Sequence, residues 1–566
     1  MLRSWYGPRA NEVQRPPGRP GGLRVWYNIQ MFWADRIAGE ILETKKPRDG
    51  KRFLIRDEKT MSGRVHVGSM RGVAIHGLIS EVLAEQGAAN EYRYELNDFD
   101  PFDSIPSYLD ESRFKEHLGK PLYTVPSPEE GFDNYAEYFG KEFTDVHKVA
   151  GFTPNYYRAT ELYRSGKMDA HIKIALERAA DIRRILKAVS GAEKNESWLP
   201  VSVVCEKCGK MMTTRAFDFD PSDGLGTGGG TVGYACDQNP DGIKSCGHIG
   251  RIAPFGGAAK LYWKVDWAAK WVALGVDIEG GGKDHSTKGG SRDVANHIAR
   301  EVFGYEPPFD IPYEFFLVGG KKMSSSKGRG SSAKEMSDLF PPEVFRLTLI
   351  GKDIREQIDV DPSGESVPRM YDGYDELAEH MREGAVDDYA RLFTLSQLPS
   401  GSQTATRSLT STPWQMRFRE VAFVVQMPHL SLEREAAAHK GGGLSDEEEA
   451  KLEERARYAR FWLDAYAPES FKYELQETLP PIILTEIQKK ALAALVDFMK
   501  EGEKSGEEIH ARLHALKEEV PIAPMELFKG IYRIFLNRDS GPKAGWFLAG
   551  LPRDLVLARL SEATAS

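Results

Sequence analysis

Residues 52–69 read Arg52-Phe53-Leu54-Ile55-Arg56-Asp57-Glu58-Lys59-Thr60-Met61-Ser62-Gly63-Arg64-Val65-His66-Val67-Gly68-Ser69. Residues 52–56 have the apolar run of a buried parallel strand, and a helix is expected from about Val67 to Gln86. In the turn between them, Gly63 and Gly68 let the backbone approach a bound group, as a phosphate seated on N–H donors requires. His66 can donate hydrogen bonds to phosphoryl oxygens as charge builds on them. Residues 91–97 alternate as a second strand and run into Asn97-Asp98-Phe99-Asp100-Pro101. Strand, glycine turn, helix and strand make a βαβ unit, the opening of a doubly wound α/β sheet.

Outward from that unit, residues 106–250 interrupt the pattern with Pro-rich loops, a helical run from about Met168 to Val189 and a cysteine-bearing segment. The sheet is expected to resume near residue 260, with Leu261–Trp267 leading into a helix, then Gly281-Gly282-Lys283-Asp284-His285. A helix over about 291–303 and a strand over Pro312–Val318 follow. That strand enters Lys322-Met323-Ser324-Ser325-Ser326-Lys327-Gly328. Serines there can bond backbone or phosphate, and the two lysines can neutralise a departing anion. From 334 onward the helical period dominates. Ser445-x-x-Glu448 is a capping box that opens a long helix to about Tyr466. The glycine string 224–230 lacks a strand-then-helix setting and reads as a loop.

The chain has 566 residues, which implies roughly three to five domains. No run of about eighteen apolar residues occurs, so no membrane helix is expected. The Arg/Pro/Gly-rich segment 1–30 lacks a signal-peptide core and is expected to be disordered. The formal charge is −9, from 75 basic and 84 acidic residues. That argues against indiscriminate nucleic-acid binding but not against a local basic surface. All four cysteines fall in one segment, as Cys205-x2-Cys208 and Cys236-x9-Cys246-Gly247-His248. Clustered thiols without export signals point to a structural tetrahedral Zn2+ and a cytoplasmic protein, with His248 as an alternative fourth ligand.

The segment around His66 and the Lys322–Gly328 loop resemble the HIGH and KMSKS signatures of class I aminoacyl-tRNA synthetases. From about residue 31 to the end, the chain is similar to the archaeal-type class I lysyl-tRNA synthetases. The likeness runs through Phe32-Trp33-Ala34-Asp35, Thr60-x-Ser62-Gly63, Asn97–Pro101 and the cysteine pairs. It continues through Trp263-x-Val265-Asp266-Trp267, Gly282–His285, Pro312-Tyr313-Glu314 and Ser540–Leu548. Asp57-Glu58-Lys59 and the long Cys236–Cys246 spacer depart from that pattern, as do Ser69 and Ser325 from the bare signatures.

The resemblance implies a Rossmann-type catalytic domain with a zinc-containing insertion, followed by an all-α anticodon-binding domain. The expected division is 31–105 and 251–330 for the catalytic halves, and 106–250 for the insertion, with its zinc module at 205–248. A stem-contact-like helical domain (331–395), a linker (396–413) and an anticodon domain (414–566) would follow. The resemblance further implies a monomer acting on L-lysine, ATP with Mg2+, and tRNA-Lys, with no membrane partner. His66, Lys322 and Lys327 would be catalytic. Ser62, Gly63, Gly68, Ser69, Gly282, Asp284 and residues Met323, Ser324, Ser325 and Ser326 would join them at ATP. Thr60, Trp263, His285 and Tyr313 would line the lysine pocket, with Asp98, Asp100 or Glu314 holding the ammonium. Arg538, Lys543 and Trp546 would meet the anticodon, while Phe547 packs the terminal helices. A class I enzyme for glutamate, cysteine or arginine, or a degenerate RNA-binding relative, are the alternatives.

Overall fold

The computed structural model describes residues 31–223, 229–320, 331–399 and 413–565. The chain falls into two compact units, Met1–Val360 with Gly384–Leu409, and Asp361–Glu383 with Thr410–Ser566.

In the first unit, helix α1 (Trp33–Thr44) precedes strand β1 (Phe53–Thr60), helix α2 (Met70–Glu85) and strand β2 (Asn90–Asn97). Helix α3 (Tyr135–Val149) then leads to strand β3 (Asn155–Arg158). β1 pairs parallel with β2 from Phe53↔Asn90 to Thr60↔Asn97, and β2 pairs parallel with β3. On the other side of β1, Ile55 bridges Ile278 and Ile278 bridges Phe309, both parallel. The resulting order, β3-β2-β1 and then the segments at 278 and 309, reverses direction beside β1. In open parallel sheets, ligands bind in the crevice at the carboxyl ends of the strands flanking that reversal.

The expected helix over 67–86 begins with a 3-10 turn, Val67–Ser69, before α2 takes over. α2 is buried along nearly its whole length, as a crossover helix laid on a sheet must be. The helical run near 168–189 is two helices, α4 (Asp169–Glu177) and α5 (Ala179–Ser190), broken at Arg178, whose ψ of 21° is non-helical.

Strands β4 (Val201–Val203), β5 (Thr214–Asp220), β6 (Thr231–Cys236), β7 (Ile249–Ile252) and β8 (Ala259–Leu261) follow. β5, β6 and β7 form an antiparallel sheet, and β8 pairs antiparallel with β4. The expected strand over 261–267 is therefore corrected: β8 ends at Leu261 and helix α6 (Trp263–Leu274) begins two residues later. Asp266 and Lys270, four apart, are ion-paired at 2.8 Å on one helical face. The parallel sheet resumes only near Ile278.

Beyond it lie strand β9 (Gly281–Gly282), helix α7 (Ser291–Glu301) and strand β10 (Pro312–Tyr313), which pairs parallel with β9. The expected strand over 312–318 is split after Tyr313. Glu314 N–H donates to Ile354 O at 2.8 Å, and Phe316-Leu317 pair instead with Ile358-Asp359.

The second unit is helical throughout its described residues. α8 (Ser366–Arg382) joins α9 (Phe418–Val424) and α10 (Asp446–Ala465). Tyr371 stacks on Phe418 with centroids 4.0 Å apart, and Arg455 donates to both oxygens of Asp375 at 2.8 Å in the buried interior. Ser445 and Glu448 form the expected reciprocal cap on α10. Helices α11 (Glu486–Lys500), α12 (Gly506–Glu519), α13 (Pro524–Leu536), α14 (Ala544–Gly550) and α15 (Arg553–Ala565) share a second core with Leu492, Leu513, Phe535 and Phe547 at its centre. No described helix is long and apolar enough to cross a membrane.

Candidate active site

The crevice beside β1 opens at the turn Met61–Ser69. Gly63 has φ of 151°, a backbone state that side-chain-bearing residues rarely adopt, so the turn needs glycine there. The Tyr135 hydroxyl donates to Ser62 O at 3.1 Å and fixes the near side. His66 ends the turn immediately before the 3-10 segment that contains Gly68 and Ser69. Its backbone bridges Ser332, Val67 N–H donates to Ser331 O at 3.2 Å, and Ala333 N–H donates to Val65 O at 2.8 Å. Lys322 to Lys327, with Met323, Ser324, Ser325 and Ser326, lie outside the described residues, but the chain that follows them is tied directly to the His66 turn.

On the other wall, Gly282 ends β9 and Asp284 follows in a short helix, with a Cβ on Gly282 falling 2.9 Å from Asp284 Oδ1. His285 lies edge-on to Trp267 at 5.6 Å and 6.5 Å from Trp263, which is 45% exposed. Tyr313 reaches the start of α2: a Cβ on Gly72 would sit 2.7 Å from its hydroxyl and 2.8 Å from Asp57 Oδ2. Burial, then Asp57, pushes the Tyr313 phenol well above its ordinary range, so the ring offers a neutral hydroxyl.

The structure separates the three acidic candidates. Asp100 lies beside Thr60, whose hydroxyl donates to Oδ2 at 2.6 Å, joined by Asn97 Nδ2 at 3.0 Å. The ammonium of Lys260 holds its other oxygen. Asp98 is turned into the protein and accepts from Thr160 N–H at 2.9 Å and from the Thr160 hydroxyl at 2.5 Å. Glu314 pairs with Lys283 at 2.7 Å.

Sequence reasoning did not anticipate a buried ionic network beneath this crevice. Arg56, fully buried, donates to Glu279 and Glu95 at 2.8 Å and to Tyr157 at 2.9 Å, and also contacts Glu58. Lys270 donates to Glu95 at 2.5 Å and pairs with Asp266 at 2.8 Å and Glu58 at 3.5 Å. Glu279 accepts both indole N–H groups, Trp267 at 2.7 Å and Trp271 at 2.8 Å. A cation with several carboxylate partners, each held by further donors, offsets the large desolvation cost of burying charge.

The four cysteine sulfurs all lie within 4.8 Å of one another, with Cys205–Cys246 at 3.7 Å and Cys208–Cys236 at 3.8 Å. Four thiolates about 2.3 Å from a tetrahedral zinc stand about 3.8 Å apart, so the donor set fits that ion. Gly209 and Gly247 both have φ of 72° at the turns behind the ligands. The long spacer is pinched shut by Asn239 Oδ1, which accepts from Ser245 N–H at 2.9 Å. His248 is not among the clustered ligands, and its ring lies 5.8 Å from Tyr234.

In the helical unit, Trp546 lies 5.1 Å from His510, His510 4.5 Å from His514, and His514 6.4 Å from Phe528. Lys543 sits over Trp546 at 5.1 Å and Lys517 over Phe528 at 5.3 Å. Arg538 is held by Glu469, and Phe547 is buried among Phe423, Tyr532 and Phe535.

The family model for class I (K) tRNA synthetases matches residues 31–398. The chain belongs to that family. The synthetase is 35% identical to "Lysine--tRNA ligase 1" of Methanosarcina acetivorans over 94% of this chain and 98% of that protein. It is 32% identical to "Lysine--tRNA ligase" of Archaeoglobus fulgidus over 94% of this chain and 100% of that one. Among solved structures, a glutamate tRNA ligase from Elizabethkingia meningosepticum aligns with a TM-score of 0.39 at 11% identity, over 91% of the synthetase and 100% of that chain.

Proposed function

We propose that the synthetase is a lysine–tRNA ligase, which joins lysine to ATP as lysyl-adenylate with release of pyrophosphate. It then passes the lysyl group to the 2′-hydroxyl of the terminal adenosine of tRNA-Lys, releasing AMP. Kinship with lysine–tRNA ligases along nearly the whole chain carries this reading.

His66, with Ser62, Gly63, Gly68 and Ser69, receives the triphosphate, and Mg2+ arrives with the nucleotide. Gly282 admits the adenosine and Asp284 meets its ribose. Lys322 and Lys327, with the intervening Met323–Ser326, close on the pyrophosphate by likeness to the family. Thr60, Asp100, Trp263, His285 and Tyr313 surround the amino acid. No step needs a covalent enzyme intermediate, so positioning and charge stabilisation supply the rate. Exchange of pyrophosphate into ATP, run with each amino acid in turn, with and without tRNA, tests the assignment. Exchange driven by glutamate, cysteine or arginine, or by none, would defeat it.

Lys543 and Trp546, extended by His510, His514 and Phe528, form a row of rings in tilted and edge-to-face contact with a cation at each end. Unpaired bases stack on such rows, each contributing about 1–3 kcal/mol. Trp546→Ala is expected to raise the KM for tRNA by about tenfold while the KM for lysine in exchange stays constant. A normal tRNA KM in the folded variant would place anticodon reading elsewhere.

Cys205, Cys208, Cys236 and Cys246 hold a structural Zn2+ that ties the loop after β4 to the end of β6 and the loop before β7. Protein purified without chelator is expected to carry about one zinc per chain, and Cys205→Ser to release it. Native protein free of zinc by elemental analysis would overturn the metal assignment.

A further inference from the structure

The network under the crevice is unbalanced. Its cations are Arg56, Lys260 and Lys270, and its anions are Glu58, Glu95, Glu279, Asp266 and Asp100. Beside these groups, Lys59 with Asp57, and Arg292 with Asp310, each add one charge of either sign, while His76, 3.4 Å from Asp57 and raised in pKa by it against the effect of burial, offsets part of the excess. Of Glu58, Glu95, Glu279, Asp266 and Asp100, the least buried are Glu58 and Asp100, 32% and 27% exposed, and a carboxylate at the edge of the interior is stabilised when a cation completes it.

The place left for that cation is specific. Glu95 accepts at Oε1 from Lys270 and at Oε2 from Arg56 and Tyr157. Glu279 uses one oxygen for Arg56 and Trp267 and the other for Trp271. Asp266 takes Tyr163 on Oδ1 and Lys270 on Oδ2. Asp100 takes Lys260 on Oδ1, and Thr60 and Asn97 on Oδ2. In Glu58 both contacts fall on Oε2. Among the described residues, its Oε1 is the network oxygen that accepts no hydrogen bond. The Glu58 side chain is also the most exposed in the network, at 32%. Burial alone would raise its pKa, but Lys270, then Arg56 and Lys260, hold it well below the usual carboxylate range, so the group stays anionic at neutral pH.

Glu58 and Thr60 share one face of β1, two residues and about 6.6 Å apart along the strand. That spacing is close to the extended reach of a lysine side chain from Cα to ammonium. An amino acid whose carboxylate reacts at the turn after Thr60, with its side chain lying back along β1, brings its far end to Glu58.

Building on the lysine reading above, we infer that Glu58 Oε1 receives the side-chain ammonium of the substrate and thereby selects a cationic amino acid. Thr60 and Asp100, hydrogen-bonded to each other, shape the wall beside it.

The test uses the full chain in lysine-dependent pyrophosphate exchange, comparing wild type with Glu58→Gln. The KM for lysine should rise roughly tenfold to a hundredfold, the range of one charge-assisted hydrogen bond, with the KM for ATP held within about threefold. The preference for lysine over its neutral analogue 6-hydroxynorleucine should collapse by a similar factor, which a purely structural role would not produce. If Glu58→Gln fails to fold, Glu58→Asp, which draws the carboxylate back by one methylene, must show the same rise in lysine KM. An unchanged lysine KM in either folded variant, or an equal rise in the KM for ATP, would overturn the role of Glu58. Wild-type protein inactive with lysine would instead overturn the lysine reading itself.

Discussion

His66→Ala should lose about 2–4 kcal/mol of transition-state stabilisation, equivalent to a fall in kcat of about thirtyfold to a thousandfold. The histidine stands at the end of the glycine turn, in the crevice beside β1, which the proposed function assigns to the triphosphate. Its hydrogen bond matters most when triphosphate charge has moved, so kcat should drop while the KM for lysine barely changes. His66→Gln, which keeps an N–H donor, should recover part of the loss. Single-turnover formation of lysyl-adenylate measures this directly. Near-normal activation by the alanine variant would remove His66 from the chemistry.

Arg56→Met should cost about 3–5 kcal/mol of stability, the usual range when one member of a buried ionic cluster is removed and its partners stay charged. Methionine fills much of the volume, but Glu95, Glu279 and Glu58 lose their common cation. A domain's whole margin is about 5–15 kcal/mol, so the loss is a large part of it. The first thermal transition should move down by several degrees. A companion variant, Arg56→Met with Glu95→Gln, should recover part of the shift by removing one stranded charge. A single variant melting within about 1 °C of wild type would show that the cluster contributes little.

Local features were legible in the sequence because their causes are local. The apolar run of β1, the glycine at the left-handed-region position 63 and the reciprocal cap at Ser445 and Glu448 each declare themselves within a few residues. The stretch after Leu261 misled because Tyr, Trp and Val favour strands, while the four-residue spacing of Trp263, Trp267 and Trp271 records the helix that forms. The ionic partners of Arg56 and Glu58 elsewhere in the chain, namely Glu95, Lys270 and Glu279, lie 39 to 223 positions further along, so nothing within Arg56-Asp57-Glu58-Lys59 announces the network. Only the parallel sheet brings them together. For the same reason, Asp98 and Asp100, two residues apart and alike in sequence, part company: Thr160 claims one and Thr60 the other.

The helical unit is assembled from two separated lengths of chain, with α8 supplied well before the rest. Asp375 on α8 has its guanidinium partner, Arg455, eighty residues later. During synthesis, a nascent chain that has released α8 but not α10 carries that carboxylate and the Tyr371 ring without their native mates. Completion of this unit must therefore wait for the ribosome, even if the sheet upstream has already closed. A gene fragment meant to yield the unit alone has to begin near Asp361. One begun at Thr410 would lack a wall of its own core.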